Sequence, residues 1–300
     1  MSNKDIFLND VKSGENIKIS LMVMRIMFKD TSKVVAILAD KSGYIKATIP
    51  SKKGDIVEGR VISVEGKKDS NFDVKKYEFI DEYEIEDYLP TVKRPVEDIM
   101  EELELYTDEY ILSREGKSLN NYFFKNEEFL EKFKKAIGGV SMHHNYIGGL
   151  AEHTLGVMYL SIVFSERYNC KNKEIAILAA KLHDIGKIYE MDYNGPFKYT
   201  LEGELEGHIV MGVQMVDRAI NDLKVPFSDD FVARIKGCIT QHHGKLEYGS
   251  PKKANMEESI ILNFADNVDA TLNKINQIKS ETKKDSWSAY DKKMETRLYL

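Results

Sequence analysis

The chain has 300 residues, 42% of them apolar and 31% charged, with a net charge of −6. That composition excludes a low-complexity or disordered chain, and no apolar run approaches the roughly 18 residues of a membrane-spanning helix. The opening stretch, MSNKDIFLNDVKSGENIKIS, has no apolar signal core, so a cytoplasmic location is expected.

Residues 16–85 read as strands. Asn16 to Lys29 is a β-branched and Met-rich run with Ile17, Ile19, Leu21 and Val23 in alternation. Lys33 to Ala39 is a short apolar run closed by the turn signal at Asp40–Gly43. From Gly43 to Pro50 the period is two, with Ile45, Ala47 and Ile49 on one face and Tyr44, Lys46 and Thr48 on the other. Asp55 to Gly66 predicts a fourth strand, with a bulge or close approach at Gly59, and Asn71 to Tyr83 a fifth. Five strands with short turns suggest a small closed barrel of the OB-fold type, one that binds nucleic acid. Residues 18–76 carry 13 Lys/Arg against 7 Asp/Glu, a local excess of six positive charges. Such a patch suits polyanions. Phe28, Tyr44, Phe72 and Tyr77, interleaved with Arg25, Lys46, Arg60, Lys75 and Lys76, are the candidate contacts to a single strand of RNA or DNA.

Charge then reverses: residues 78–109 hold 13 acids against Lys93 and Arg94. Pro90 and Pro95 mark residues 89–97 as a linker between different periodicities, separating a domain over 1–88 from one over 98–300. Helical spacing follows. Ile99, Leu103, Tyr106 and Tyr110 share one helix face. Phe123 to Ile137 predicts a second helix ending at Gly138-Gly139. Further helices are expected over 150–168, 173–187, 206–223, 229–243 and 257–278. The fold class is therefore multidomain α+β: a five-stranded barrel followed by an all-α domain. Cys170 and Cys238 lack any CxxC neighbour and are expected as buried free thiols. Trp287, the only tryptophan, is expected to pack against a terminal helix.

All seven histidines fall between His143 and His243. In order, His153, the pair His183-Asp184, His208, the pair His242-His243 and Asp266 occur about one helix plus one connection apart. Imidazole and carboxylate are the usual ligands of a divalent metal at a hydrolytic centre. A helical bundle can aim such widely spaced ligands at one interior point.

Glu152-His153-Thr154, Leu182-His183-Asp184-Ile185-Gly186-Lys187, Gly207-His208, Gln241-His242-His243-Gly244 and Ala265-Asp266 resemble the HD phosphohydrolase superfamily. With a barrel in front, and with the stretch from His143 to Leu150, the chain resembles the YhaM-type 3′→5′ exoribonucleases over roughly residues 12–300. The resemblance implies that His153, His183, Asp184 and Asp266 hold one metal. His208 and His242 would hold a second, with Asp184 bridging. It favours manganese, although N/O ligation also admits Fe, Zn, Co or Ni. Lys187 is the expected phosphate-stabilising cation, and His143 and His144 the expected contacts to the scissile phosphate or terminal nucleotide. His243, Glu152 and Asp269 are candidates for supporting the ligands. The activity implied is metal-dependent 3′→5′ removal of nucleoside 5′-monophosphates from single-stranded RNA. A phosphohydrolase of small or cyclic nucleotides and a non-catalytic nucleic-acid-binding protein are the alternatives.

Overall fold

A computed structural model describes residues 4–50, 55–140 and 144–300. The chain divides into two units, Met1–Thr91 with Asp192–Tyr199, and Val92–Met191 with Thr200–Leu300. The first unit thus takes in a short segment from far along the sequence, which composition gave no reason to expect.

In the first unit, β1 (Asn16–Lys29), β2 (Lys33–Asp40), β3 (Gly43–Pro50), β4 (Val61–Lys68) and β5 (Phe72–Ile80) close into a barrel of order β1-β2-β3-β5-β4. The β3–β5 pairing is parallel and the rest antiparallel. This is the five-stranded OB-like architecture. Alternation decides which side chains face inward: Ile45, Ala47 and Ile49 are buried while Tyr44, Lys46 and Thr48 are exposed. The expected fourth strand starts later than Asp55. Gly59 has φ +85° and lies in the turn before β4, so it serves as a turn glycine rather than a bulge. The register slip falls instead between Glu65 and Gly66, opposite Lys75, and leaves Lys75 and Lys76 both outward.

The second unit is helical: α1 (Val96–Tyr110), α2 (Arg114–Phe124), α3 (Glu127–Lys135), α4 (Gly149–Arg167), α5 (Lys173–Leu182) and α6 (Lys187–Glu190) come first. The chain then pairs β6 (Met191–Asp192) with β7 (Lys198–Tyr199) in the segment counted mostly with the first unit, and the second unit resumes with α7 (Leu201–Glu206), α8 (His208–Asp222), α9 (Asp229–Gln241) and α10 (Glu257–Glu281). The single helix expected around Phe123–Ile137 is two, because the Asn126 side chain accepts from Phe129 N at 3.0 Å and starts α3 afresh. Helix α4 is the centre of the bundle, packed by α1, α3, α5 and α10. Both cysteines are buried and free. Trp287 does not pack as expected: it is exposed, across a hairpin from Tyr299.

Candidate metal centre

The His183-Asp184 pair does not sit on a helix, as the 173–187 periodicity suggested. After α5 the backbone keeps near-helical angles, with φ −58° at His183 and −62° at Gly186. Its hydrogen bonds, however, tighten to the i−3 pattern: Lys187 N donates to Asp184 O at 3.0 Å and Ile188 N to Ile185 O at 3.4 Å. The tight turn is pressed against the start of α8. A side chain at Gly186 would collide with the His208 carbonyl and Gly212 N, so only glycine permits the approach.

This contact gathers ligand groups from five helices or their ends. His153 lies in the second turn of α4, His208 opens α8, His242 follows α9, and Asp266 lies on α10. Asp184 stands in the middle. Its Oδ2 is 3.5 Å from His153 Nε2 and 3.2 Å from His183 Nε2. Its Oδ1 is 3.5 Å from His208 Nε2 and 3.6 Å from His242 Nε2. Asp266 Oδ1 is 3.2 Å from His153 Nε2.

Each of these imidazoles is anchored by its other nitrogen. His183 Nδ1 meets Ala180 O at 2.8 Å and His242 Nδ1 meets Ile239 O at 2.7 Å. His153 Nδ1 meets Asp269 Oδ2 at 2.7 Å and His208 Nδ1 meets Glu190 Oε1 at 2.9 Å. A carbonyl or carboxylate oxygen accepts, so the proton belongs on Nδ1 and the Nε2 lone pair turns inward. Asp184 Oδ1, His208 Nε2 and His242 Nε2 are then buried with no hydrogen-bond partner among the described residues. Lone pairs facing lone pairs in a dry site are costly; a cation between them removes the conflict. The ligand atoms of His153, His183 and Asp184 lie within 4.8 Å of one another, as do those of His183, His242 and Asp266. Those of His208, His242 and His243 do so too, which brings His243 in beside the expected ligands.

The electrostatics agree. Burial raises the Asp184 pKa, but His183 and Lys187 outweigh it and hold the carboxyl well below its usual range. Burial lowers the His153 pKa, yet Asp266 and Asp269 lift it to about 10, a sign of how strongly they favour positive charge at that ring. Burial, with His243 and His183 alongside, drives His242 well below the ordinary imidazole value.

Around this set, Asp269 reaches His153 only because Gly156 on α4 has no side chain to block it. Glu190 also accepts from His208 N at 3.0 Å. Glu190 went unrecognised in the sequence, where an acid in Lys-Ile-Tyr-Glu looks like any helix-surface glutamate. Lys187 Nζ lies 2.6 Å from Asp184 Oδ2 and donates to Gly138 O at 2.8 Å. Asp184, Lys187, His243, Asp266, Asn267, Ala270 and Tyr248 line the cleft over the centre. His144 is buried, its Nε2 3.6 Å from Asp269 Oδ2 and 3.7 Å from Glu152 Oε2. Glu152 accepts from Tyr146 OH and touches no ligand histidine among the contacts described. His143 lies outside the described residues.

The barrel residues separate into two kinds. Arg25, Ile37 and Lys46 sit side by side across β1, β2 and β3, with exposed Phe28 and Tyr44 on the same strands. Lys75 is exposed as expected. Phe72 is not a contact residue: it is fully buried in the barrel core, because its position in β5 points inward with Val74. Tyr77 is half-buried, packed on that core, with its hydroxyl donating to Asp55 Oδ1 at 2.9 Å. Arg60 is exposed but pairs with Asp81 and lies over the Phe79 ring.

Residues 150–271 match the model of the HD domain family, a span that includes His153, His183, Asp184, His208, His242, His243 and Asp266. The chain is 30% identical over 248 residues to the 3'-5' exoribonuclease YhaM of Geobacillus sp. (strain WCH70), covering 81% of this chain and 72% of that protein. The chain belongs to the YhaM family. A crystal structure of the L. monocytogenes phosphodiesterase PgpH HD domain also matches, at 18% identity and a TM-score of 0.31, over 52% of this chain and 82% of that one; so slight a likeness adds nothing to the assignment. As a YhaM-family protein the chain is a hydrolase of the HD superfamily, whose members bind divalent metals. None of its described helices is long and apolar enough to cross a membrane.

Proposed function

We propose that the chain is a cytoplasmic two-metal exonuclease that shortens single-stranded RNA, and DNA to the extent the barrel accepts it, from the 3′ end, releasing nucleoside 5′-monophosphates. One observation carries the reading. The two oxygens of Asp184 each face a different pair of imidazoles whose other nitrogens are already anchored. A carboxylate can bridge two cations, whereas a neutral imidazole serves one. His153, His183 and Asp266 would complete the site on the Oδ2 side; His208, His242 and His243 would complete the site on the Oδ1 side. Bound divalent cations, manganese by family, would supply Lewis-acid activation of water and of the phosphodiester.

The protein's own groups do the rest. Asp269 and Glu190 keep the His153 and His208 rings turned inward. Lys187 is held charged, because Asp184 outweighs the effect of its burial. It lines the cleft, where it would neutralise charge building on the phosphoryl oxygens. His144 stands beside His153, with ring centroids 5.1 Å apart. Phe28, Tyr44, Arg25 and Lys46 give the barrel a stacking and phosphate-contacting face for the rest of the strand.

The test is a time course on 5′-labelled single-stranded RNA with Mn²⁺, comparing the intact chain with Asp184→Ala. A ladder receding from the 3′ end, lost in the variant, is expected. RNA left whole by a preparation that still hydrolyses small or cyclic nucleotides would overturn the reading.

A further inference from the structure

The C-terminal segment forms a hairpin on the helical unit. Ser286 and Leu300 exchange two backbone hydrogen bonds of 3.0 Å, and Ser288 N donates to Leu298 O at 2.8 Å. Trp287 and Tyr299 therefore occupy a directly opposed pair between hydrogen-bonded rungs, where side chains of one face come closest. Their rings meet edge-on with centroids 5.6 Å apart. Arg297 is two residues before Tyr299 and so shares its face; its guanidinium lies 5.6 Å from the centre of the Trp287 ring. Despite these contacts Trp287 is 60% exposed, Tyr299 62% and Tyr290 61%.

Large aromatics left this open do not serve a core. Residues 283–300 hold five Lys/Arg against three Asp/Glu. Of the three, Asp291 is already engaged by Lys274 at 3.5 Å and by the N–H groups of Lys293 and Met294. Protein–protein contact cores are poor in lysine. Aromatic rings interleaved with lysine and arginine are instead the pattern of a single-strand stacking surface.

The hairpin and the metal cleft are both built on α10. Asp266 and Ala270 line that cleft, while Lys274 and Ile278 line a second one, shared with Ala289, Tyr290 and Asp291 of the hairpin. These α10 positions are four residues apart, so they form one ridge along the helix. From Asp266 to Lys274 the ridge runs about 12 Å at 1.5 Å per residue. Of the two acids in the second cleft, Asp291 pairs with Lys274, while Glu281 has no cation partner within ion-pair distance among the described residues.

We propose that this hairpin is a stacking platform for single-stranded RNA, holding nucleotides upstream of the 3′ end that enters the metal cleft. The proposal rests on the exonuclease reading above, and its test separates the two. Trp287 is the chain's only tryptophan, so its fluorescence reports on the platform directly. The intact chain in chelator is titrated with a 12-nucleotide oligoadenylate and with AMP. Saturable quenching by the oligomer, and none by AMP at equal concentration, is expected. In Mn²⁺, the double variant Tyr290→Ala/Tyr299→Ala should raise KM for the 12-mer about tenfold, the size of one lost base stack. Its hydrolysis of bis(p-nitrophenyl) phosphate, which cannot reach the hairpin, should match the intact chain.

A wild type that shortens the 12-mer with the same KM as the variant overturns the platform and leaves the exonuclease standing. A wild type that hydrolyses the aryl ester but never shortens RNA overturns the exonuclease, and quenching alone then decides the platform. Emission that changes with protein concentration and not with RNA, together with a variant that sediments as a smaller species, overturns the platform in favour of contact between copies of this chain.

Discussion

At the scale of single residues, the candidate ligands that the structure gathers were legible because they are chemically rare and occur in marked surroundings. Of the two carboxylates that anchor those imidazoles, Asp269 was expected from the sequence and Glu190 was not. Glu190 is 18 positions from His208 and reaches it only through the fold. Asp269 was expected as a supporting residue; its contact with the Nδ1 of His153 depends on Gly156, a glycine that the helical pattern of α4 gives no reason to single out. Glu190 offers the sharper test. Glu190→Gln keeps an oxygen that can accept from His208 but removes the charge that strengthens the imidazole as a ligand. The Mn²⁺ concentration for half-maximal activity should rise roughly 10- to 100-fold, while the rate at saturating metal stays close to that of the intact chain. Asp184→Asn should fail at every metal concentration, since an amide offers one neutral oxygen where the carboxylate turns a charged oxygen to each imidazole pair. A Glu190→Gln variant with unchanged metal dependence would show that the contact only packs.

At the scale of elements, the strands were read closely and the helices near the site less so. Alternation has a period of two and one wet face, so β3 was placed residue for residue from Gly43 to Pro50. Phe72 was misassigned because an aromatic beside lysines looks the same whether it points into a barrel or out of it; its pairing beside buried Ala47 sets that direction. The run through His183-Asp184 was misread as one helix because its backbone angles stay near helical while only the hydrogen bonds tighten. That tight turn carries its own prediction. Gly186→Ala adds a methyl group where the His208 carbonyl already touches, and neither α6 nor α8 can yield without moving a ligand. We expect destabilisation of roughly 1–3 kcal/mol, read by urea denaturation, together with weaker Mn²⁺ activation. If the turn instead has slack, stability and metal response will both match the parent.

At the scale of the whole chain, the basic and acidic blocks were legible but their partners were not. The acids at the barrel's end pair within the first unit, Glu78 with Lys18, Asp81 with Arg60 and Asp87 with Lys41. Those of α1 pair within the second, Glu97 with Lys134, Glu102 with Arg94 and Glu104 with Lys125. Among the described residues six of the thirteen acids thus have a cation partner, each within its own unit, and the barrel has a core of its own. The candidate metal centre, among the described residues, belongs wholly to the helical unit. A ligand that binds only the folded form stabilises by RT ln(1 + [L]/Kd), about 4 kcal/mol at a thousandfold excess over Kd. For a unit of this size that corresponds to a shift of roughly 8–16 °C. Calorimetry of the full chain with and without chelator should move the helical transition by that order and leave the barrel transition in place. Trp287 emission marks which transition is helical, because the only tryptophan lies in that unit. Asp184→Asn should remove the metal-dependent shift. If the barrel transition moves with the metal as well, the two units do not unfold independently, and the assignment of the centre's stabilising effect to the bundle alone is wrong.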